Sequence, residues 1–433
     1  MPLKCLEQNI IKTRYSLGMA KRSTKCDLLI LGAGIIGISV GIAYLKARPG
    51  KIVIIVEKEK RLGEHASGRN SGVIHAGFYY SPESLKAKFC RDGNQQLRTL
   101  AKKYSIPIKN VGKVVVSRNS EEDSRLELLF ERGIQNRVDI ELLDESKLQS
   151  YEPLAKTTNR FLWSPTTAVT NPKEVITALK QEFVGLGGQI HLDSKVKLKV
   201  FAGEVQDEDN IYGAKVIVNT AGAQADRISR QINVGLEYAM LPFMGVYRVA
   251  PLSKLPLQRL VYPVPHPVNP FLGVHFTITT DGKLKIGPTA IPIFGREQYT
   301  IAQGWSFPDA LQALKGSIAL VKGESHNFAE IFKSEWRKIL LSTLLNESAE
   351  LVPSVTSVKD WGRNPPGIRA QLVHLPTGKL EQDFVVKKYL NSIHVLNAVS
   401  PGWTSALPFG EWIVSEYIIK DIPGDDSADK VVS

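Results

Sequence analysis

Cysteine is scarce in this chain of 433 residues: Cys5, Cys26 and Cys90 are far apart and never in C-x-x-C spacing. This distribution supports neither a disulfide framework nor a thiolate metal site, and it favours a reducing compartment. The eight histidines lack H-x-x-x-H or similar spacing. No metal site is therefore predicted.

A stripe of lysine and arginine interleaved with aromatic residues is also missing, so no nucleic-acid partner is predicted. Residues 1–26 carry six basic side chains and one acid, which accounts for +5 of the net charge of +12 and leaves a modest +7 for the remaining 407 residues. Residues 1–25 are interpreted as a basic extension before a start near Met19 and, as the alternative, as a mitochondrial presequence, although they hold only two arginines. A cytoplasmic location is predicted, with a mitochondrial one if residues 1–25 are a presequence.

One run, Cys26 to Leu45, is apolar over twenty residues with Asp27 its only charge, which is long enough to span a bilayer. A membrane span is rejected because three glycines within the run stand in G-x-G-x-x-G spacing, just after a short apolar stretch. A second apolar stretch, Ile52 to Val56, follows after a helix-sized gap. The pattern predicts a strand, a helix and a parallel strand.

The three glycines, Gly32, Gly34 and Gly37, each have a mechanical role. Gly32 permits the tight turn, Gly34 lets backbone approach a pyrophosphate, and Gly37 allows close packing of helix on strand. The phosphates then lie at a helix N-terminus, where free N–H groups and the helix dipole favour negative charge. Glu57 ends the second strand, where its carboxylate can accept hydrogen bonds from an adenosine ribose. A dinucleotide site is therefore predicted, and the acid argues against a 2′-phosphate.

The later segments favour a flavin over a nicotinamide dinucleotide. A nicotinamide enzyme would continue with further strand–helix pairs, whereas Leu62 to Pro82 is rich in Gly, Ser, His and Tyr and lacks periodicity over its first half. Residues 171–196 predict a capped helix followed by the strand Gln189 to Val196. Much later, Ala214 to Arg227 reads as a strand that ends in a glycine and leads into a helix. A strand that returns from this distance is typical of a discontinuous, two-dinucleotide fold that binds FAD.

Several segments carry a resemblance to one family. They are GAGIIG, HASGRNSGVIHAGFYYSPESLKAKFC, NVGKVVVS at 110–117, YPVPHPVNPFLGVHFT at 262–277, and PPGIRAQ with NAVSPGWTSALPFG near the end. Over residues 26–420 the chain resembles the L-2-hydroxyglutarate dehydrogenase/oxidase family, within the D-amino acid oxidase superfamily of FAD-dependent oxidoreductases. The resemblance implies an α/β fold, α+β overall: a two-dinucleotide-binding, Rossmann-like FAD domain with an interleaved, mostly antiparallel β substrate domain.

The resemblance also implies FAD as the cofactor and a set of residues that contact it. These residues are Gly32, Gly34, Gly37, Glu57, Lys58, Arg69, Asn70, Ser71, Gly72, Val196, Ala221, Gly222, Gly402, Thr404 and Ser405. Free N–H groups of the loop Ser400 to Ser405, before a helix expected from about Phe409, could face the flavin carbonyl. As the alternative, Thr404 or Ser405 simply caps that helix.

The implied reaction is hydride transfer to flavin N5 from a carbon that bears OH or NH2 and lies next to a carboxylate. Such a reaction needs a proton acceptor, a cation for the carboxylate, and donors near the flavin pyrimidine. Arg369 in GIRAQ is implied as the cation, with a surface salt bridge as the alternative. For the base, His75 is favoured because it lies in the flavin-facing segment, and His275 is the rival, which could equally be a hydrogen-bonded strand histidine. The other substrate-binding residues implied are Tyr79, Tyr80, Tyr247 and Trp403.

The chain departs from the family pattern around this site. It has GRNSG for GHNSG, PFMGVY for PFRGEY, AVTNP for GIVSY or GIVDY, and SPGWT for SPAAT. Met244 and Val246 thus replace a cation and an acid on a strand that resembles a wall of the substrate cavity. One hypothesis is that the substrate keeps one carboxylate for Arg369 and lacks the second carboxylate of 2-hydroxyglutarate. The other is that Arg69 supplies the cation lost at Met244, which would preserve a dicarboxylate.

The resemblance predicts a discontinuous domain organisation. The predicted FAD domain comprises 26–95, 148–232 and 358–421, the substrate domain 96–147 and 233–357, and a disordered tail 422–433. Between Asn327 and Leu345 apolar residues recur at helical spacing beside Lys333, Arg337 and Lys338. This predicts a helix that packs on its own domain and, as the alternative, one that lies on a membrane surface near quinone.

The function predicted is an FAD-dependent oxidoreductase that acts on a small 2-hydroxy acid, most simply L-2-hydroxyglutarate. An amine or amino-acid oxidase on the same fold is the alternative, and a flavin-binding module without turnover is a third. The partners expected are a small carboxylate substrate, an electron acceptor (oxygen, quinone or a carrier protein) and, at the periphery, a membrane. Access to flavin N5 decides among the acceptors.

Overall fold

The structure, a computed structural model, describes residues 21–199, 204–266, 273–300, 303–323 and 328–420. The expected tail at 422–433 and the extension up to residue 20 lie outside the described residues. The strands are β1 (Arg22–Leu31), β2 (Val53–Val56), β3 (Val73–Ile74), β4 (Ile108–Lys109), β5 (Lys113–Val116), β6 (Glu141–Asp144), β7 (Arg160–Ser164), β8 (Ala168–Thr170), β9 (Gln189–His191), β10 (Lys197–Lys199), β11 (Glu204–Gln206), β12 (Asn210–Asn219), β13 (Tyr238–Pro251), β14 (Leu260–Pro263), β15 (His275–Ile278), β16 (Lys283–Gly287), β17 (Ile291–Pro292), β18 (Gly362–His374), β19 (Lys379–Leu380), β20 (Val385–Tyr389) and β21 (Ser392–Asn397). The helices are α1 (Ile35–Ala47), α2 (Leu85–Lys103), α3 (Ser120–Gln135), α4 (Leu148–Tyr151), α5 (Pro172–Gly185), α6 (Ala225–Ser229), α7 (Phe307–Lys322), α8 (Phe328–Arg337), α9 (Leu341–Ala349) and α10 (Ala406–Ile413).

The first large sheet has eight strands and is built around β1. β1 lies parallel between β2 and β12, and Leu28 pairs with Val53 on one side and with Val216 on the other. All four residues of β2 are buried aliphatics, as expected for a parallel strand covered on both faces. In the core beside this sheet, Ile38 of α1 and Phe409 of α10 are completely buried. The predicted strand–helix–strand unit is confirmed.

The capped helix predicted after Asn171 is present as α5. The side chain of Asn171 accepts the N–H of Lys173 at 3.0 Å, and Pro172 opens the helix. The strand expected from Gln189 to Val196 is wrong in length, since β9 ends at His191. The chain leaves the sheet there because the N–H of Ser194 donates to the carbonyl O of Glu57, beyond the end of β2.

The second large sheet has ten strands in the order β19-β18-β13-β16-β15-β14-β5-β7-β6, with β17 paired to β13. Its pairs are antiparallel except for β14 with β5, so the expected, mostly antiparallel substrate sheet is present. Its longest strands, β13 and β18, pair along most of their length, with a shift in register between Gly245 and Tyr247. A third sheet, β3-β8-β4, holds the segment that leads to His75.

The strands β1, β7, β18 and β19 depart from the predicted domain boundaries, and β19 lies in the ten-stranded sheet because it pairs with β18. β1 begins at Arg22, so residues 22–25 belong to the first sheet because they pair with β12. β7 and β18 were assigned by residue number to the FAD domain. They lie in the ten-stranded sheet because β7 pairs with β5 and β6, and β18 pairs with β13.

The single helix predicted between Asn327 and Leu345 is wrong, because α8 ends at Arg337 and α9 begins at Leu341. The intervening N–H groups donate only three residues back, for example from Leu340 to the carbonyl O of Arg337. Lys338 is buried there and lies 2.6 Å from Glu335, so it is not on a basic surface. In the part of the chain that the structure describes, no helix has the length and apolarity required to cross a membrane.

Candidate active site

The glycine-rich turn between β1 and α1 lies against the end of β12. Gly32 has a φ of +102°, and a Cβ there would lie 2.8 Å from the carbonyl O of Thr220. At Gly37 a Cβ would lie 2.1 Å from the carbonyl O of Gly32, so only glycine lets α1 start this close to the strand. Gly34 gives α1 no side-chain cap, and Ser67 Oγ accepts the N–H of Ile35 at 3.0 Å. This open helix start suits a pyrophosphate.

Glu57 stands beside this turn at the end of β2. Its Oε2 accepts the N–H of Ala33 at 2.9 Å, and its Oε1 accepts the N–H of Glu59 at 3.0 Å. The two bonds fix the carboxylate against the turn, and each oxygen keeps a further lone pair for another donor. The position agrees with the expected contact to a ribose.

Lys58 lies in a network of charges next to Glu57. Its Nζ is 2.5 Å from Glu59, 2.8 Å from Glu297 and 2.9 Å from Nε2 of His65. Burial disfavours the lysine charge, but the hydrogen bonds to Glu297 and Glu59 outweigh it and raise the pKa of Lys58. Glu59, His65 and Glu297 lie close enough to hold a metal ion. The lysine ammonium among them makes the group an ion-pair network.

The segment 69–72 forms a tight turn that is held by its own side chains. Asn70 Nδ2 donates to the carbonyl O of Ser67 at 2.9 Å, and Asn70 Oδ1 accepts the N–H of Gly72 at 2.9 Å. Arg69 lies with its guanidinium 4.2 Å from the ring centre of Tyr299. This segment therefore presents backbone rather than long side chains along the expected path of the cofactor.

On the far side of the turn, the end of β12 supplies the expected glycine. A Cβ on Gly222 would meet nothing within 4 Å, so open space lies beside it. Ala221 and Val196 are half-buried and pack on the same apolar cluster of the first sheet. Ala221 and Gly222 follow β12 directly, and Val196 lies between β9 and β10. Their contact with the cofactor stays a prediction.

The loop before α10 closes this region. Thr404 Oγ1 accepts the N–H of His75 at 3.2 Å and donates to the carbonyl O of Val73 at 3.3 Å. No side chain caps α10, which begins at Ala406, so the capping alternative for Thr404 and Ser405 is wrong, and so is the expected start near Phe409. Gly402 is buried in the same loop, where a Cβ would lie 2.3 Å from the carbonyl O of Ala398.

Two polar atoms of this loop are left without partners. Trp403 Nε1 and Ser405 Oγ are buried and have no hydrogen-bond partner among the residues described. Buried polar atoms in folded proteins are almost always paired. The loop therefore has donors to offer to a bound group.

The register of the ten-stranded sheet brings several polar side chains to one face. Val261 pairs with Phe276, Phe276 with Ile286, and Ile286 with Arg248, across β14, β15, β16 and β13. Residues one position away lie on the opposite face, because side chains alternate along a strand. That face carries Tyr247, Tyr262 and His275, and the rings of Tyr262 and His275 stack 3.8 Å apart.

His75 and His275 lie in one electrostatic cluster. Burial, together with the charges of Lys113, His275 and Arg369, lowers the pKa of His75 well below its usual value. Burial also lowers the pKa of His275 to about 3; the bond to Gly273 opposes the shift, and Lys113 and Arg369 add to it. Both imidazoles are therefore neutral at neutral pH, the form that accepts a proton.

The two histidines differ in their hydrogen bonds. His275 Nδ1 lies 2.9 Å from the carbonyl O of Gly273, and since a carbonyl only accepts, this nitrogen carries the proton. His75 Nδ1 is buried and has no hydrogen-bond partner among the described residues. Because His75 Nδ1 is still able to form a hydrogen bond, His75 is the better candidate for the histidine that contacts a ligand.

Arg369 lies on β18, where it pairs with Phe243 of β13. Its charge acts on the pKa values of both histidines, Tyr80 and Tyr247. Burial is the main cause that lowers the pKa of its own guanidinium. Arg369 is thus within the cluster rather than on an open surface, as its expected role requires.

Sequence analysis missed Lys113, the first residue of β5. Its side chain is completely buried, and its Nζ has no hydrogen-bond partner among the described residues. The Nζ lies 4.5, 4.4 and 4.8 Å from the ring centres of Phe78, Tyr79 and Tyr262. Burial lowers the pKa of Lys113 to about 7. In the sequence, Lys113 is a single lysine before three valines, a pattern typical of an ordinary strand.

The implied substrate tyrosines surround the same cluster. The hydroxyl of Tyr79 is buried without a partner among the described residues, whereas Tyr80 hydrogen-bonds Ser400. Tyr247 hydrogen-bonds Ser71, which links the ten-stranded sheet to the segment 69–72. Burial raises the pKa of Tyr247 to about 12, so its hydroxyl stays protonated and can donate.

Met244, one of the departures from the family pattern, lies in an apolar cluster with Ile291, Ile293 and Ile368. Tyr299, which carries Arg69 over its ring, packs against the same cluster. Arg69 is therefore near Met244, but its Nε donates to the carbonyl O of Glu64 at 2.5 Å. The compensation by Arg69 stays a prediction.

The residues present fit FAD on observations from this structure. A Cβ at Gly32 or Gly37 would collide with backbone, the carboxylate of Glu57 is fixed beside the turn, and unpartnered polar atoms lie at Trp403 and Ser405. The glycine turn would hold the pyrophosphate, Glu57 the ribose, and the loop before α10 the flavin ring.

Comparisons with known proteins agree with this assignment. The family model DAO, described as "FAD dependent oxidoreductase", matches residues 27–416. The chain is 33% identical over 402 residues to the L-2-hydroxyglutarate dehydrogenase of Escherichia coli (strain K12), covering 90% of this chain and 92% of that protein. It is 34% identical over 414 residues to the mitochondrial L-2-hydroxyglutarate dehydrogenase of Caenorhabditis elegans, covering 91% and 93%.

A solved structure shows the same fold. The dithionite-reduced L-alpha-glycerophosphate oxidase from Mycoplasma pneumoniae with FAD bound matches at a TM-score of 0.70 and 21% identity, covering 90% of this chain and 94% of that chain. The expected fold class and cofactor are confirmed. This chain is an FAD-dependent oxidoreductase, and it belongs to the DAO family in the group that includes the L-2-hydroxyglutarate dehydrogenases.

Proposed function

We propose that the protein oxidises the CH–OH group of a small 2-hydroxy acid, and that L-2-hydroxyglutarate is converted to 2-oxoglutarate. The observation that carries the proposal is the cluster of His75, His275, Lys113 and Arg369, whose charges act on one another. The cations that act on His75 in that cluster are Lys113 and Arg369. Such a site attracts a carboxylate and disfavours a cationic amine substrate.

Arg369 is the proposed ligand of the carboxylate next to the reacting carbon. A guanidinium offers two parallel N–H groups to a carboxylate, which fixes the orientation as well as the position of the substrate. Tyr247, with its protonated hydroxyl on the same face, is placed to donate a further hydrogen bond. Together they orient the hydroxyl-bearing carbon for reaction.

His75 is the proposed base that accepts the hydroxyl proton of the substrate. It is neutral in the free protein because burial, followed by neighbouring positive charge such as that of Lys113, lowers its pKa, and its Nδ1 has no partner among the described residues. A bound carboxylate offsets those positive charges, so the pKa of His75 rises towards neutrality as substrate binds. The histidine is therefore neutral before the reaction and becomes a better proton acceptor once substrate is present.

FAD, when bound, accepts the hydride that leaves the hydroxyl-bearing carbon. Lys113 and Arg369 make the site positive, which would favour negative charge on a bound cofactor. The buried aromatic residues around Lys113 keep water away from these charges, which strengthens their effect.

Anaerobic titration of the purified protein with L-2-hydroxyglutarate tests the proposal. Loss of the flavin absorbance band, with one 2-oxoglutarate formed per flavin, is expected. L-glutamate, the matching amino acid, serves as the control and should leave the band unchanged. Bleaching by L-glutamate with release of ammonia would instead support an amino-acid oxidase.

We further propose that α7 brings the protein to an anionic membrane surface. One face of α7 is buried, as at Ala313 and Leu320, while the opposite face exposes five large apolar residues at helical spacing. The exposed residues are Phe307, Leu311, Leu314, Ile318 and Val321. Lys315 and Lys322 are exposed beside them, and the acid of this helix, Asp309, is buried.

This surface suits lipid better than water, because an apolar stripe flanked by lysines matches acyl chains below anionic headgroups. A membrane quinone is accordingly the proposed electron acceptor, ahead of oxygen and a carrier protein. The stripe replaces the membrane-surface helix expected between Asn327 and Leu345, which the structure divides into α8 and α9.

The position of β1 limits how long a mitochondrial presequence can be. A presequence of residues 1–25 would include the first four residues of β1, which pair with Asn210 to Gly213 of β12. We therefore propose a cytoplasmic location; if the protein is imported into mitochondria, cleavage would occur before Arg22.

A further inference from the structure

We propose that Lys86 holds the second, distal carboxylate of a dicarboxylate substrate while Arg369 holds the carboxylate beside the reacting carbon. This inference rests on the proposed function, since it assigns the two ends of the substrate to two cations of the same site. It makes Lys86 a specificity-determining residue, and neither the motifs nor the departures from the family pattern pointed to it.

Lys86 projects from the rigid start of α2. Ser84 caps the helix by accepting the N–H of Ala87 at 3.1 Å. Asp383 accepts the N–H of Leu85 at 2.8 Å and that of Lys86 at 3.2 Å. The backbone of Lys86 is therefore fixed, which limits where its side chain can reach.

The side chain of Lys86 lies inside the protein on the active-site side of α2. Its exposed fraction is 6%, and its Nζ is 5.9 Å from the ring centre of Tyr80. Tyr80 is itself within the electrostatic reach of Arg369. Lys86, Tyr80 and Arg369 thus border the same part of the site.

The ammonium of Lys86 has no fixed partner. No hydrogen bond or ion pair among the described residues involves its Nζ. Asp383 is the acid whose charge acts on it, but the Asp383 carboxylate already accepts the N–H groups of Leu85, Lys86 and Phe384. Burial of the side chain disfavours this charge, and a bound anion would offset that cost.

The charges of Lys86 and Arg369 act on each other. Burial, followed by the charge of Arg369, lowers the pKa of Lys86 to about 8, and Asp383 only partly opposes the shift. At neutral pH both groups therefore carry positive charge in the free protein. One carboxylate compensates one of these cations, whereas a dicarboxylate compensates both.

This assignment explains how the site can keep a dicarboxylate without the cation lost at Met244. Met244 is buried among isoleucines, so that wall supplies no charge. Lys86, on a different element, supplies it instead. The hypothesis of a substrate with a single carboxylate is then unnecessary.

Calorimetric titration of the FAD-loaded protein with glutarate and with butyrate tests the inference without turnover. The wild-type protein should bind glutarate more tightly than butyrate by about ten- to a hundredfold at pH 7, the range expected of one charge-assisted contact. The Lys86→Gln variant should lose this preference and retain its affinity for butyrate. The control variant Lys88→Gln, which changes an exposed lysine of the same helix, should keep the preference.

Two further arms complete the experiment. Lys86→Arg should restore part of the preference because it restores the charge, which separates a charge effect from a folding defect. Between pH 7 and pH 9.5 the wild-type preference should fall as Lys86 loses its proton, and Lys86→Gln should show no such fall. The groups that face Lys86 and set this profile are Tyr80, Arg369 and Asp383.

Equal binding of glutarate and butyrate by the wild type, or a preference unchanged in Lys86→Gln, would overturn the inference. The proposed function fails in a different way, through absence of bleaching by L-2-hydroxyglutarate. A Lys86-dependent preference for glutarate without that bleaching would keep the dicarboxylate site and reject the substrate.

Discussion

Lysine is one of the residues that proteins bury least readily, and here Lys113 is completely buried with its Nζ among three aromatic rings. The rings stabilise the ammonium through their faces but do not replace a hydrogen bond. Burial of this ammonium without a hydrogen bond therefore lowers the stability of the folded protein. Burial is the main reason that the two active-site histidines are neutral, and the charge of Lys113 adds to this effect, which is a functional gain at the expense of stability.

Replacing Lys113 with methionine should therefore stabilise the fold and impair the reaction. Because the pKa of Lys113 is lowered from 10.5 to about 7, the unfolded chain binds more protons than the folded one between these values. The lysine penalty is thus largest below pH 7 and decreases as the pH rises. Lys113→Met should add about 1–4 kcal/mol to the free energy of unfolding at pH 6, and less at pH 9.

Thermal or urea unfolding at the two pH values measures this effect. Lys102→Met, at an exposed position of α2, is the matched control and should change stability little. A loss of stability in Lys113→Met at pH 6 would contradict this prediction and would show that the ammonium is stabilised by a hydrogen bond or an ion pair.

The two histidines should differ in their effect on the rate. His75→Asn should lower the rate of flavin reduction by about a hundred- to ten-thousandfold, because it removes the proposed base. His275→Asn should have a smaller effect, since the imidazole of His275 is already hydrogen-bonded to Gly273. Stopped-flow measurement of flavin bleaching compares them, and a larger effect at His275 would reverse the assignment.

At the residue scale, sequence reasoning found the charges that belong to motifs and missed those that do not. His75, His275 and Arg369 were named because each lies in a segment that resembles a family motif. Lys113 and Lys86 lie in segments quoted for the same resemblance, but a lysine in a strand or a helix is usually solvated. Whether such a side chain is buried depends on packing between elements that are distant in sequence. The residues next to it in the sequence do not determine this packing.

Among the elements, the loop before α10 has the most direct influence on the site. Its Thr404 hydroxyl joins β3 to the loop through Val73 and His75. α2 packs against the same loop so closely that a Cβ on Gly93 would lie 2.0 Å from the carbonyl O of Thr404. The loop is therefore held from two sides.

Replacing Thr404 with valine keeps the shape and removes the hydroxyl. The N–H of His75 would then lose its acceptor, at a cost of about 1–3 kcal/mol for a buried unpaired donor. FAD affinity and the rate of flavin reduction should both fall, as measured by equilibrium dialysis and stopped flow. Thr404→Ser keeps the hydroxyl and should stay near wild type; equal losses in both variants would point to the methyl group instead.

The exposed face of α7 provides a test of membrane binding at the scale of one helix. Wild-type protein should sediment with vesicles of phosphatidylglycerol and phosphatidylcholine at physiological salt, and much less with phosphatidylcholine alone. The double variant Leu314→Glu with Ile318→Glu should lose this binding because it places charges in the apolar stripe. Leu128→Glu, at an exposed position of α3, is the control and should bind normally.

Element prediction succeeded where the pattern is set by nearby residues. The unit β1–α1–β2 was predicted because glycine spacing and apolar runs determine it locally. The helix expected between Asn327 and Leu345 was not found as one piece, because its break depends on the burial of Lys338 between Glu335 and Glu347. The pair with Glu335 is local in sequence, whereas the pair with Glu347 joins Lys338 to α9 and forms only once the two helices pack.

For the whole molecule, the cofactor joins parts of the chain that are distant in sequence. The first sheet combines β1 and β2 with β12 and β21, and the loop before α10 contacts the segment after β3. A ligand that binds only the folded state stabilises it by mass action. The free energy of unfolding of the whole protein should therefore increase when FAD binds.

Adding FAD to the apoprotein at about a hundred times its dissociation constant should raise the free energy of unfolding by about 2.7 kcal/mol. Differential scanning calorimetry at several FAD concentrations measures the rise in Tm. Gly37→Ala, whose Cβ would collide with Gly32, should reduce the increase, whereas Gly185→Ala is the control because its Cβ would meet nothing and its φ is not positive. A Tm that does not depend on FAD would contradict the proposed linkage.

Chain order also has a consequence for biosynthesis. β1 leaves the ribosome early, but its sheet gains β21 and the site gains its closing loop only when residues 392–406 have been made. A nascent chain that stops before this point has a glycine turn but no loop to close over the flavin. We therefore expect chains that lack residues 392–406 to lose FAD on gel filtration, and complete chains to stay yellow.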